Sequence, residues 1–178
     1  MSFRSQFDVT GENQIRGERA ESLFDLEARR RGYKVSTVDG EDNYKHHIDK
    51  RIWNRERNEF FNVQVKALKK ISRSDNQLTD EIVWIEFVNV KGYSGWIYGT
   101  FDIIAFERVN DFIIVDRLDL IQLCERLVNF NETVYSSAKA VYKIYTRQGR
   151  RDKISLIKMK DIESLSNTIW MKSNIIMN

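Results

Sequence analysis

Between Phe60 and Leu68 apolar and polar side chains alternate. Phe61, Val63, Val65 and Ala67 fall on one face, and Asn62, Gln64, Lys66 and Leu68 on the other, the period of two that marks a strand. A longer period governs residues 14–31, where Ala20, Leu23, Phe24 and Ala28 make one stripe and Gly32 follows as a stop, predicting a helix. Glu18, Glu21 and Asp25 stand three and four residues apart, so the opposite face of that helix is acidic. Strand-like runs also occur at 33–38, 46–53, 82–90, 96–98 and 101–106, with a polar connection at 72–81. Residues 101–106 and 111–116 should form a hairpin across 107–110. Residues 118–129 read as a second helix, with Leu118, Ile121, Glu125 and Val128 along one face and Leu120, Leu123, Cys124 and Leu127 along the next. The chain then predicts a strand near 140–146, a turn at Gln148-Gly149-Arg150, a strand near 154–159 and a short helix from Asp161. This order describes an α+β fold with a central mixed sheet flanked by helices, ending in a hairpin and a short helix.

With 178 residues, 42% of them hydrophobic, the chain can bury a substantial core. It is read as one domain over 1–178, with a core at about 14–130 and a basic hairpin and helix at about 138–178. Recurrent Leu, Ile, Val and aromatic positions exclude a disordered tail protein. The longest apolar runs are short pieces such as Phe112-Ile113-Ile114-Val115, so no membrane span is expected. The start, MSFRSQFDVT, has no apolar signal core, and a cytoplasmic protein is expected (host cytoplasm, were it phage-encoded). One cysteine and two histidines all but exclude a structural zinc site. Cys124 should be a buried thiol. The chain has no proline, for which there is no functional account.

Charge adds a direction. Residues 138–160 carry eight basic side chains against the single acid Asp152, while the whole chain is only +3. A polyanion is the natural partner of such a field, and a well-solvated hairpin is the equally weighted alternative.

The chemistry centres on the alternating strand. Gln64 and Lys66 emerge from one face about 7 Å apart, and a lysine between Val65 and Ala67 costs free energy unless a carboxylate or phosphate accompanies it. Asp49, with His47 on the same face, lies on the preceding strand-like run. If those strands pair, Asp49, Gln64 and Lys66 converge, and the acidic helix face can bring Glu21 to the same edge.

This ordered set resembles the PD-(D/E)XK nuclease superfamily, whose core is a helix followed by a mixed sheet. Its metal site is an Asp on one strand and (Glu/Asp/Gln)-x-Lys on the next. Here that is Asp49, fourteen residues, then Gln64-Val65-Lys66. The first helix resembles archaeal-type Holliday junction resolvases in its Ala20-Glu21, Leu26-Glu27 and Gly32-Tyr33 pairs, Gly32 falling eleven residues after Glu21. The resemblance covers roughly residues 14–68; the stretches from Trp84 to Arg108 are similar, less specifically, to phage-encoded nucleases. Ile48 replaces the proline of the family name, as in many members. Gln64 stands where most members have an acid, so the site loses one charge while keeping one amide oxygen for a cation.

The resemblance implies an Mg²⁺-dependent DNA endonuclease, selective for junctions or branched DNA, with Mn²⁺ able to substitute. Glu21, Asp49, Gln64 and Lys66 would be catalytic. Asp49, the Gln64 side chain, the Val65 main-chain carbonyl and Glu21 would be metal ligands, and Lys66 would orient or help deprotonate the attacking water. Arg147, Arg150, Arg151 and Lys153 around the Gln148-Gly149 turn would grip DNA. The chain leaves little room for a separate recognition domain, so a homodimer or higher oligomer is expected.

Two alternatives stay open: a sequence-specific restriction or homing enzyme on the same core, and a non-catalytic nucleic-acid-binding protein that kept the fold. Asp39 and Asp42 compete with Asp49 as the strand acid, Glu21 has a solvated helix face as its ordinary explanation, and Lys66 could snorkel from a sheet edge. His47 reads as a supporting or DNA-facing residue, Glu86 as a lesser candidate, and Trp53, Trp84 and Trp96 as core or sheet-surface aromatics. Gly95-Trp96-Ile97-Tyr98-Gly99 superficially resembles a GIY-YIG nuclease but lacks the paired second motif.

Overall fold

The computed structural model describes residues 11–72, 75–166 and 168–173; the first ten residues, read above for a signal core, lie outside that range. Helix α1, Glu12–Arg30, ends where expected. Gly32 takes a left-handed φ of 84°, and its N–H bonds Arg29 O while the Tyr33 N–H reaches back to Ala28 O, closing the last turn as a Schellman motif. After α1 come β1 (Lys34–Thr37), α2 (Glu41–Tyr44), β2 (Lys50–Asn54), β3 (Glu59–Lys66), β4 (Ile82–Val88), β5 (Ile103–Glu107) and β6 (Asp111–Asp116). Then follow α3 (Arg117–Leu127), β7 (Asn129–Val134), β8 (Lys143–Tyr145), β9 (Lys153–Lys158), α4 (Met159–Glu163) and β10 (Thr168–Met171).

Two sheets result. One has the order β1-β2-β3-β5-β6-β10, the other β4-β9-β8-β7. In the larger sheet β3 and β5 run parallel, and β5 and β6 form the expected antiparallel hairpin. Strand alternation sorts the side chains to two cores. Val63 and Val65 of β3, Ala105 of β5 and Phe112 and Ile114 of β6 pack under Ala20, Phe24 and Ala28 of α1. Ile104, Phe106, Ile113 and Val115 point the other way and meet Ile85, Phe87, Ile144 and Ile157 of the smaller sheet, with α3 and α4. Each fully buried side chain of this kind stabilises the fold by roughly 1.5–3 kcal/mol.

Four expectations are corrected. The 46–53 run is a strand only from Lys50; α2 and a turn through His47, at φ 56°, occupy the residues before it, because a left-handed residue cannot continue a pleated strand. Residues 96–98 form a 3-10 turn, closed by Tyr98 N–H to Gly95 O and Gly99 N–H to Trp96 O. The second helix ends at Leu127, Val128 turns extended, and 129–134 is strand β7; of the two faces assigned to it, the one with Leu120, Leu123 and Cys124 is buried and Leu118 is exposed. The C-terminal helix begins at Met159, two residues before Asp161, and the tail adds β10, whose Trp170 stacks on Phe24 at 5.3 Å.

Candidate active site

Strand β3 carries the centre of the site. Its pairing with β2 sets Lys50 opposite Val63, and the Asp49 N–H continues the ladder by one residue with a 2.8 Å bond to Val63 O. Asp49 therefore sits at the mouth of β2 beside Gln64. Its carboxylate accepts the Val65 N–H at 2.8 Å through Oδ2 and the Asn43 Nδ2 amide at 3.1 Å through Oδ1. Asn43, on α2, also bonds Ile48 O at 3.2 Å, so one short helix orients the acid. Burial pushes the Asp49 carboxyl up, against the pull of Lys66, the Val65 N–H and Asn43. The competing acids are elsewhere: Asp39 is exposed, and Asp42 is taken by Arg51 at 2.6 Å.

Gln64 is 4% exposed, and its Oε1 is buried without a hydrogen-bond partner. An orphaned amide oxygen in a native interior is uncommon. Lys66 closes the strand with its Nζ 4.4 Å from the centroid of the Trp96 ring, a cation–π contact. Burial, with Lys69 adding, brings Lys66 down to about 8, against the pull of Asp49, Glu86 and Glu21. Trp96 reaches Lys66 because Gly95 lies flat against β4. The Gly95 N–H bonds Phe87 O at 2.8 Å, and a Cβ at Gly95 would stand 2.1 Å from Glu86 O.

Glu21 reaches the site from α1. Lys50, 4% exposed, points away from Asp49 on the opposite face of β2. Its Nζ lies 3.3 Å from Glu21 Oε2, 3.2 Å from Asp25 Oδ2 and 3.1 Å from Thr37 Oγ1. Burial and then Asp49 raise the Glu21 carboxyl, with Lys50 opposing. Glu86 of β4 is a further partly buried acid whose carboxyl burial raises, while Lys66, the Trp96 N–H, Lys69 and Arg147 pull it down. His47 is brought down to about 4 by burial and then by Lys66.

The basic turn lies between β8 and β9. Arg147 is not a free cation there: it pairs with Asp152, which is fully buried, and its Nε donates to Asp152 Oδ2 at 2.5 Å. Arg151 packs against the turn after β4, where a Cβ at Gly92 would meet its Cδ at 3.2 Å. Lys153 is exposed at the start of β9. The charge of Arg147 is felt by Glu86, as is that of Lys66.

The structure thus brings Asp49, Gln64 and Lys66 together, sets Glu21 on the α1 side with Lys50 but within electrostatic range of Asp49, has Glu86 act on Lys66, and leaves Asp39 and Asp42 out. Sequence reading missed Asn43, Lys50 and the placement of Trp96; the asparagine six residues before Asp49 was the one local signal available. Among the described residues no three His, Cys, Asp or Glu side chains are grouped to hold a metal ion, so a cation here would depend on the Gln64 amide oxygen together with Asp49. The oxygen-only donor set suits a hard cation such as Mg²⁺, and the orphaned Gln64 Oε1 fits a ligand role. No described helix is long and apolar enough to cross a membrane.

No protein-family model and no curated protein sequence matches the chain. Among solved structures, a bacterial homing endonuclease, I-Ssp6803I, is similar at 17% identity and a TM-score of 0.46, over 63% of this chain and 74% of that one. A likeness of that degree carries no weight for function.

Proposed function

We propose that the protein is an Mg²⁺-dependent DNA endonuclease that hydrolyses phosphodiester bonds. The observation that supports this most is the buried, partnerless Gln64 Oε1 on the strand that pairs beside Asp49, two residues before Lys66. A buried amide oxygen without a donor is costly; as a cation ligand it has a purpose. Asp49, Gln64 Oε1 and the Val65 carbonyl would hold the ion, with Glu21 at the edge. When bound, Mg²⁺ supplies a Lewis acid that polarises a phosphoryl oxygen and an attacking water. Lys66, cationic at neutral pH, orients that water and offsets the negative charge that builds on phosphorus. Glu21 accepts a hydrogen bond from the water and fixes its approach. Arg150, Arg151 and Lys153 meet backbone phosphates beside the site, while Arg147 props the turn through Asp152. Branched DNA is the proposed substrate and a homodimer the proposed working form.

Plasmid incubated with Mg²⁺ or Mn²⁺ and with EDTA tests the activity. Cleavage that EDTA abolishes is expected; a mobility shift without cleavage in any divalent ion would replace this reading with a binding protein. Discrete fragments from linear duplex would turn it toward a sequence-reading enzyme. Crystals soaked in Mn²⁺ should show anomalous density between Asp49 and Gln64.

A further inference from the structure

We propose that Lys50 is a positioning residue that clasps Glu21 at the edge of the site; the inference rests on the nuclease reading above. Asp49 and Lys50 are consecutive, so the alternation of an extended chain sends them to opposite faces. Asp49 joins Gln64 and Lys66, and Lys50 goes under α1, where its ammonium meets Glu21, Asp25 and Thr37 within 3.1–3.3 Å. Glu21 and Asp25 are four residues apart on one helix face and repel each other, and Asp49 repels Glu21 from the other side. The Glu21 side chain is 30% exposed, so water offers it an outward rotamer. The Lys50 contact is what opposes that swing and keeps the carboxylate folded in, within electrostatic range of Asp49.

Stability alone does not account for a lysine at this place. An apolar side chain of similar length would fill the volume without the desolvation cost of a buried charge. Nor does Asp25 use the contact fully, because its Oδ1 is buried without a partner. The pair that gains from Lys50 is the one that faces the site. One strand end therefore delivers the proposed metal ligand to one face and the clasp for the second acid to the other.

The test is single-turnover cleavage by the wild type, Lys50→Met, Lys50→Arg, Glu21→Gln and Lys50→Met/Glu21→Gln, with duplex binding measured in EDTA. Lys50→Met should slow cleavage at least tenfold with DNA affinity within twofold. Lys50→Arg should recover a good part of that loss. The double variant should be no slower than Lys50→Met, because an unclasped Glu21 has already lost its role. Additive losses, or a Lys50→Met enzyme at wild-type rate, would overturn the clasp. Asp25→Asn guards against a folding artefact: it keeps the Glu21 contact, so cleavage should stay within twofold, and a loss equal to that of Lys50→Met would make the cluster merely structural. If the wild type never cuts, the nuclease reading fails by itself. The clasp is then judged by thermal unfolding, where coupling between Glu21→Gln and Lys50→Met supports it and additive midpoints refute it.

Discussion

The Val65 N–H donates to the Asp49 carboxylate at 2.8 Å. That one bond seats the acid on the residue that separates Gln64 and Lys66, and so joins the residue just before β2 to the two side chains that β3 contributes to the site. It also spends one carboxylate oxygen's lone pair on backbone, leaving the group oriented before any ligand arrives.

Lys66→Ala should abolish cleavage and leave DNA affinity within about twofold, because Lys66 is assigned to the chemical step and lies over Trp96 instead of projecting to the surface. Single-turnover rates and filter binding separate the two effects. Turnover near that of the wild type would remove the central residue of the proposal.

Gln64→Glu adds a carboxylate to a hard-cation site and should tighten Mn²⁺ binding in calorimetry. The same change gives Lys66 an ion-pair partner, so faster cleavage is not expected to accompany it. Flat or weaker Mn²⁺ affinity would mean that Gln64 does not touch the ion.

The acid limb of stability should depend on His47. Its imidazole titrates near 4 when folded and near 6.5 as a free side chain. Between those values the unfolded chain binds more protons, so the stability linked to His47 is present above pH 6.5 and is lost as pH falls toward 4. His47 adopts a left-handed φ of 56°, a conformation asparagine tolerates. In urea titrations the wild type should lose more stability than His47→Asn between pH 7 and pH 4.5, by on the order of 1 kcal/mol once solvent screening of a half-exposed imidazole is allowed for. Equal losses in the two proteins would show that the imidazole is solvated.

Gly95→Ala should cost about 2–3 kcal/mol, since its Cβ would meet the Glu86 carbonyl at 2.1 Å and backbone must move. Chemical denaturation measures the loss. Cleavage should fall as well, because Trp96 carries Lys66.

The basic turn should divide into two kinds of arginine. Replacing Arg150 and Arg151 with alanine should lower the log–log salt slope of DNA binding by up to about two units. Arg147→Ala should instead cost about 3 kcal/mol, because it strands the fully buried Asp152. A double variant with the wild-type slope would move the DNA path elsewhere, toward Arg51, Arg55 and Arg57.

Local pattern determined a good deal. The alternation of 60–68 predicted which side chains of β3 go under α1 and which face the site, and Val63 and Val65 lie in the helix-covered core as that alternation requires. The α1 stripe and its Gly32 stop were legible for the same reason: they depend on period and on backbone sterics, which a sequence carries by itself. The run at 46–53 was misread because its alternation continues through residues that a left-handed His47 takes out of the strand, and backbone dihedrals are not written in side-chain polarity. Nothing local distinguishes Lys50 in its strand; only α1 lying across β2 encloses it with Glu21 and Asp25. Trp96 found Lys66 only because Gly95 presses that turn against β4, and Arg147 became a buried partner only once Asp152 folded inside. The contacts of Lys50 and of Lys66 join residues 25 to 30 apart, while Arg147 and Asp152 stand five residues apart across one turn. The geometry of the first two comes from the packing of distant elements, so it was decided by the tertiary structure and by nothing local.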